Sequence, residues 1–186
     1  MKQVSVFNFL TLNGYYKGPD EDISWHQHGG EEAEFAVEGA KTESLLLFGR
    51  KTFEMMSSYW PTKQGMKDNP GVAEGMNKSQ KIVFSTTLTS ANWQNTRIVK
   101  ENLIEEVRNL KQSGDKDMTV LGSGSIITQL ADAGLIDIFQ FMIDPIVIGD
   151  GVTEFKGLSH KLKLKLTDSR TFKTGVVLLT YEPAKN

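Results

Sequence analysis

From Val4 to Ala133 the chain repeats one pattern, a short apolar run followed by a segment with helical spacing, and that alternation constrains its fold more than any other feature. Strand, crossover helix, strand is the signature of a mainly parallel sheet covered by helices. Val4–Leu10 (VSVFNFL) is β-branched, apolar and uncharged, as a strand buried on both faces should be. Helices are expected over Glu31–Lys41, Thr52–Tyr59, Leu103–Gln112 and Ser125–Ala133. Further strands are expected at Leu45–Phe48, Lys81–Ser85, Thr96–Val99 and Met118–Leu121. In the first of these helices Ala33, Ala36, Val37 and Ala40 form a small-residue seam, while Glu31, Phe35 and Glu38 share another face. Trp60–Gln80 carries Pro61, Pro70 and several glycines and reads as a long functional or mobile loop.

After Gly134 the pattern changes. Strands at Ile136–Ile143, Lys161–Thr167 and Val176–Tyr181 follow, the last two paired across Lys173-Thr174-Gly175. The expected fold is α/β: a central, mostly parallel mixed sheet flanked by helices, with an antiparallel C-terminal hairpin, in one domain over 1–186. No cysteine is present, which removes disulfides, thiolate metal sites and thiol nucleophiles. A net charge of -2 argues against nucleic acid or acidic membrane as a partner held by bulk electrostatics. The apolar run at the amino terminus is too short for a signal peptide, and no stretch is long enough to span a membrane. A cytoplasmic location is expected.

Two strand-to-helix turns invite an anion. In the first, Gly49, Arg50, Lys51 and Thr52 follow Leu47-Phe48. Two cations at a helix amino end oppose the helix dipole, so the placement suits a site where an anion completes the charge balance. Solvated cations at a tolerated cost are the competing reading. In the second, Gly122, Ser123, Gly124, Ser125 and Ile126 follow Val120-Leu121, and glycines after a buried strand let backbone N–H groups approach a pyrophosphate. A tight turn with Ser125 as helix cap is the competing reading. The glycines do not make a Rossmann fingerprint, because Ile127 stands at the third glycine position. Nor is there a Gly-Lys-Ser/Thr phosphate loop.

Taken together, these pieces resemble the dihydrofolate reductase-like superfamily, in the branch of the riboflavin biosynthesis reductase (RibD C-terminal) domain. Thr11-Leu12-Asn13-Gly14 is similar to that branch's Ser-Leu-Asp-Gly. Leu46–Glu54 is similar to the Met-Gly-Arg-x-Thr-x-Glu stretch, and Lys81–Thr86 to the following strand and its hydroxyl-bearing end. The most specific series is Val120–Gly124, Leu130, Gly134–Asp137 and Pro145–Gly149. The resemblance implies an oxidoreductase using NADPH. Gly49–Thr52 would meet the 2′-phosphate and pyrophosphate, Ser85, Thr86 and Thr87 the adenine ribose, and Gly122–Ile126 the pyrophosphate and nicotinamide ribose. Arg50 offers the fork that phosphate recognition favours, hence NADPH over NADH.

The resemblance also implies a heterocyclic small-molecule substrate and an acid on the first helix. Counting from Trp25, that acid falls at Glu31, with Glu32 or Glu34 as alternatives and a solvated first turn as the bland reading. Asn13, Trp25, Phe35, Met56 and Trp60 would line the substrate pocket, although aromatics and Met at helical spacing also fit core packing. Phe141 stands where folate enzymes carry a threonine that bonds the acid, and phenylalanine cannot do so. Folate is therefore less fitting than a pyrimidine of the riboflavin pathway. The zinc deaminase signature of bifunctional relatives is absent. His26 and His28 lack further ligands at fitting spacing, so loop solvation is expected and no metal. A non-catalytic or flavin-binding protein on the same fold remains the alternative. Leu162, Leu164, Leu166, Val177 and Leu179 offer apolar faces near a sheet edge, and a homodimer is expected.

Overall fold

The computed structural model describes residues 1–26 and 29–184, so His28 lies outside the described residues. The strands are β1 (Val4–Thr11), β2 (Tyr15–Lys17), β3 (Leu45–Gly49), β4 (Lys81–Phe84), β5 (Thr96–Val99), β6 (Met118–Leu121), β7 (Ile138–Asp144), β8 (Val152–Thr153), β9 (Leu164–Thr171) and β10 (Val177–Pro183). The helices are α1 (Gly30–Lys41), α2 (Arg50–Tyr59), α3 (Lys63–Asp68), α4 (Pro70–Lys78), α5 (Leu103–Ser113) and α6 (Gly124–Asp132). Eight strands form one sheet in the order β5-β4-β3-β6-β1-β7-β10-β9; β2 and β8 form a separate two-stranded ribbon. All pairings in the large sheet are parallel except those of β10, which runs antiparallel to both β7 and β9. The expected α/β architecture and its C-terminal hairpin are what the chain forms.

Alternation along the strands sends side chains to two layers. Val4, Val6 and Leu10 of β1, with Leu45, Leu47, Ile82 and Val120, pack under α5 and α6 through Val107, Ile126, Ile127 and Leu130. On the opposite face Leu46, Phe48 and Val83 meet Phe53 of α2 and Met76 of α4. Further along that face Met142, Phe172, Val176 and Leu178 gather Phe7, Phe9 and Phe35 of α1. Adjacent strands β3 and β6 therefore send their following helices to opposite faces. Such a switch opens a crevice outside the carboxyl ends of the strands.

The segment Trp60–Gln80 is not a loop. It folds into α3 and α4, with Thr62 accepting a hydrogen bond from Gly65 N–H and Pro70 opening α4. Its glycines are contact residues rather than breakers. A methyl on Gly75 would meet Ala40 Cβ at 2.8 Å and collide with the Ala40 carbonyl, while Gly71 lies against Val37. The alanine seam of α1 is thus the seat for a glycine face on α4. Gly75→Ala is expected to destabilise the fold by about 1 kcal/mol in urea melts. The overpacking cost, roughly 1–3 kcal/mol, exceeds the gain in helix propensity of about 1. Lys81, 1% exposed at the start of β4, donates to the carbonyls of Asn77, Ser79 and Gln94 at 2.6–3.3 Å, tying the end of α4 to the sheet.

Strand limits shift at the carboxyl end, where β7 starts at Ile138 and β9 runs Leu164–Thr171. No helix among the described residues is long and apolar enough to cross a membrane.

Candidate functional site

At the β3/β6 switch a cleft of about 810 Å³ runs across the carboxyl ends of the strands. Eleven of the twelve residues expected to hold a cofactor line it: Gly49, Arg50, Lys51, Thr52, Ser85, Thr86, Thr87, Ser123, Gly124, Ser125 and Ile126. Gly122, the twelfth, lies just behind. Its φ of +54° and the 3.1 Å separation of an added Cβ from Thr52 Cγ2 leave no room for a side chain. The two turns are stitched together by Ser123, whose Oγ accepts from Gly49 N–H at 2.9 Å and donates to Leu121 O at 3.1 Å. Ser123 therefore spends its hydroxyl on the scaffold, and Ser125 does not cap α6.

A third turn completes the cleft. Lys100, Glu101, Asn102 and Leu103, between β5 and α5, line the same space. The amino ends of α2, α5 and α6 thus converge on it, and none carries a side-chain cap. Uncapped first-turn N–H groups and three aligned dipoles make a site for negative charge. The third turn was legible in sequence as a short strand running into Asn102 and an amphipathic helix, but it lacks the glycines that drew attention to the other two.

The cations of the first turn already have carboxylate partners. Arg50 Nη1 lies 3.0 and 3.1 Å from Glu54. Lys51 reaches Glu21 at 2.8 Å, and Glu21 also holds Lys17 at 2.5 Å. Glu21 hydrogen-bonds and charges the Lys51 ammonium upward in pKa, and the two lysines hold the Glu21 carboxyl below the usual range despite its partial desolvation. At the far end Tyr16 covers Gly124; a Cβ there would meet the phenol ring at 2.8 Å. A donor set of glycine turns, helix amino ends and cations fits a polyphosphate cofactor.

The first turn of α1 buries the neighbour of the expected acid. Glu31 turns outward to Lys173 at 2.9 Å, and that hydrogen bond holds its carboxyl below the usual range, the opposite of what a proton donor near neutrality needs. Glu32 is the buried one, 4% exposed. Thr174 Oγ1 donates to its Oε1, and Oε2 is buried without a partner among the described residues. Glu34 is exposed. Helical periodicity explains the swap, because neighbours on a helix point about 100° apart and only one can face the sheet. Phe141 is also corrected. It faces the α5/α6 layer with Phe139 and Phe155, so it could not have met an acid on α1 whatever its chemistry. The hydroxyl beside the acid comes instead from the β9–β10 hairpin.

The five residues expected to line a substrate pocket fall in three places: Asn13 at a turn, Met56 with Trp60, and Phe35 with Trp25 on the α1 face, joined through Phe7, Phe9 and His26. Asn13 pins a turn, its amide donating to Ile148 O at 2.8 Å and accepting from Thr11 Oγ1. Met56 and Trp60 pack on one another, indole Nε1 to Sδ 2.9 Å, in the α2/α4 cluster. Phe35 packs between Phe7 and Phe172 on the α1 face. Trp25 lies edge-on to His26, with its Nε1 buried and unpartnered among the described residues. His26 is not solvated: it is 4% exposed, stacked on Phe9 at 3.6 Å, with Nδ1 2.9 Å from Asp144. Among the described residues no group of three or more His, Asp or Glu side chains is placed to hold a metal.

Fold and cleft together define a dihydrofolate reductase-type α/β protein. The chain belongs to the RibD C-terminal domain family, whose model matches residues 2–178. It is 28% identical over 172 residues, 92% of this chain and 90% of the relative, to the uncharacterized protein YyaP of Bacillus subtilis. Among solved structures it resembles a putative riboflavin biosynthesis protein from Shewanella (TM-score 0.75, 20% identity, 98% of this chain and 99% of that one). It also resembles a pyrimidine reductase-like protein from Corynebacterium diphtheriae (TM-score 0.69, 12% identity, 100% and 93%). A third is a diaminohydroxyphosphoribosylaminopyrimidine deaminase/5-amino-6-(5-phosphoribosylamino)uracil reductase from Thermotoga maritima (TM-score 0.69, 15% identity). There the match covers 98% of this chain and 57% of that one. Family and neighbours point to a reductase-like oxidoreductase fold.

Proposed function

We propose that this protein is an NADPH-dependent reductase of a small nitrogen-heterocyclic substrate, reducing either the open-chain sugar imine (C=N) carried by a phosphoribosylaminopyrimidine of the riboflavin pathway type or a ring C=N of a pterin. The observation that carries this reading is the cleft, where three uncapped helix amino ends and two glycine turns face one another across the sheet switch. NADPH, when bound, would supply a hydride for the carbon of C=N, whose nitrogen must gain a proton. The chain's own work is to hold and orient. The amino ends of α2 and α6 would take the phosphates, Arg50 the 2′-phosphate, and Ser85–Thr87 would flank the adenine ribose. Across β1, Glu32 offers a buried oxygen to the ring and amino N–H groups that a pterin and an aminopyrimidine share. β1 pairs with β6 only as far as Phe7 and runs on to Thr11, so the two strands part beside the second glycine turn, and the reading puts the transfer at that parting.

The test is fluorescence titration of purified protein with NADPH, then a panel of phosphoribosylaminopyrimidines and pterins at saturating NADPH. Binding, with one NADPH oxidised per heterocycle reduced, is expected. No binding, or a yellow protein that reduces nothing with NADPH, overturns the reading in favour of a flavin-binding protein.

The same reading includes a homodimer. β9 is one of the two edge strands of the sheet and exposes Leu166 (48%) among polar neighbours, and an unpaired strand edge is a template for pairing with another chain. Sedimentation should give twice the chain mass of 20.7 kDa at micromolar concentration; a single-chain mass refutes pairing.

A further inference from the structure

Glu154 is a buried carboxyl that the reading so far does not use. It follows β8, which pairs with β2 so that Thr153 lies opposite Tyr15, and its backbone N–H donates to Gly14 O at 3.1 Å. Asn8 Nδ2 donates to its Oε2 at 2.8 Å, and Oε1 is buried with no hydrogen-bond partner among the described residues. Asn8 is the first residue of β1 beyond the last pair with β6, so the acid lies at the parting of those strands. Its charge acts on the phenol of Tyr16, a cleft-lining residue that covers Gly124. Among the described residues no cation compensates it: β1 presents the Asn8 amide, and β2 presents Tyr16, on whose phenol Lys17 and Glu21 also act. Burial pushes the Glu154 carboxyl up to about 7, against the pull of the Asn8 amide.

We infer that Glu154 senses the charge on the nicotinamide end of the cofactor, favouring the oxidised, cationic form when ionised and the neutral, reduced form when protonated. The inference rests on the proposed NADPH reading, which puts the phosphates at the α2 and α6 turns and leaves the Tyr16 end for the nicotinamide. Oxidised nicotinamide carries a positive ring charge and the dihydro form carries none. An opposite charge nearby favours the ionised acid, and an uncharged ring leaves burial to keep it protonated. By linkage, whatever the oxidised ring does to the acid, the acid does in return to the oxidised ring. As pH rises through neutrality NADP⁺ should tighten relative to NADPH, the bound couple should become more reducing, and NADP⁺ should release a proton on binding.

The experiment measures dissociation constants of NADP⁺ and NADPH at pH 6.5 and 8 by calorimetry, in wild type and Glu154→Gln. The 2′-phosphate is common to both forms, so its titration cancels in the ratio. In wild type, NADP⁺ affinity relative to NADPH should rise by roughly three- to tenfold, the scale of up to one pKa unit of coupling. The ratio should be flat in Glu154→Gln. Buffers of different ionisation enthalpy should report a proton released with NADP⁺ near pH 7 in wild type alone. Asn8→Ala removes the donor that favours the carboxylate and should move the midpoint upward, an independent check if Glu154→Gln does not fold. A flat wild-type ratio with both cofactors bound, or a pH-dependent ratio that survives in Glu154→Gln, overturns the role of Glu154 and leaves the cofactor reading intact. Absence of binding by either cofactor overturns the reading itself.

Discussion

Wild-type protein should bind NADPH about tenfold more tightly than NADH, and Arg50→Ala should bring the two within about twofold. A charge-assisted hydrogen bond contributes roughly 1.5–3 kcal/mol, and the lower end applies because the Arg50 side chain is 42% exposed and screened by solvent. Arg50 opens α2, where a cation opposes the dipole, and Glu54 one turn on answers its charge at 3.0 Å. A bound phosphate would relieve both. Glu54→Gln should therefore tighten NADPH by a few-fold and leave NADH unchanged, since only the phosphate competes with that carboxylate. Fluorescence titration of both cofactors against the three proteins decides the matter. Equal affinity for NADPH and NADH in the wild type would falsify the assignment of Arg50.

How far the sequence could be read depends on what carried each signal. The Leu45–Gly49 and Met118–Leu121 runs are uncharged and mainly apolar because both faces of their strands are covered, and each leads into a glycine where the chain must turn. Such local causes leave local marks, and the sheet, the C-terminal hairpin and two of the three turns follow from them. α4 left a misleading mark. Gly71 and Gly75 resemble loop residues in sequence, and only the approach of Val37 and Ala40, some thirty-five residues earlier, shows that they serve a helix contact. The buried carboxyl of the first turn of α1 lies one position from the expected one for a related reason. Glu31 and Glu32 have the same propensity and charge, and the choice between them is made by Lys173 and Thr174 on the distant hairpin, one drawing its residue outward and the other meeting its residue within. Glu154 left no motif at all, because it is placed by a ribbon of two short strands, β2 and β8, of three and two residues, too short for periodicity to register.

Glu32→Gln should slow hydride transfer by about a hundred- to ten-thousandfold while leaving NADPH affinity within about twofold, and Glu31→Gln should do neither. The magnitude is that of lost general acid–base help at a reacting heterocycle. The structural ground is the unpaired Oε2 of Glu32, since a buried carboxyl oxygen without a donor costs free energy that a ligand N–H can recover. Stability should therefore move the other way from activity. An amide in place of that carboxyl lowers the desolvation cost, so Glu32→Gln should melt at or above the wild-type temperature. A residue that served packing alone would melt lower when altered and leave the chemical step untouched. Thr174→Val removes the hydroxyl that donates to Oε1 and should slow the step by a smaller factor, roughly tenfold, the worth of one hydrogen bond. Single-turnover oxidation of bound NADPH, measured beside thermal melts of the four proteins, separates these outcomes. If Glu32→Gln slows the step by less than tenfold, α1 does not supply the proton and ordered water takes that role. If Glu31→Gln slows it instead, the ion pair with Lys173 must open during turnover, and the outward orientation of Glu31 is not its working one.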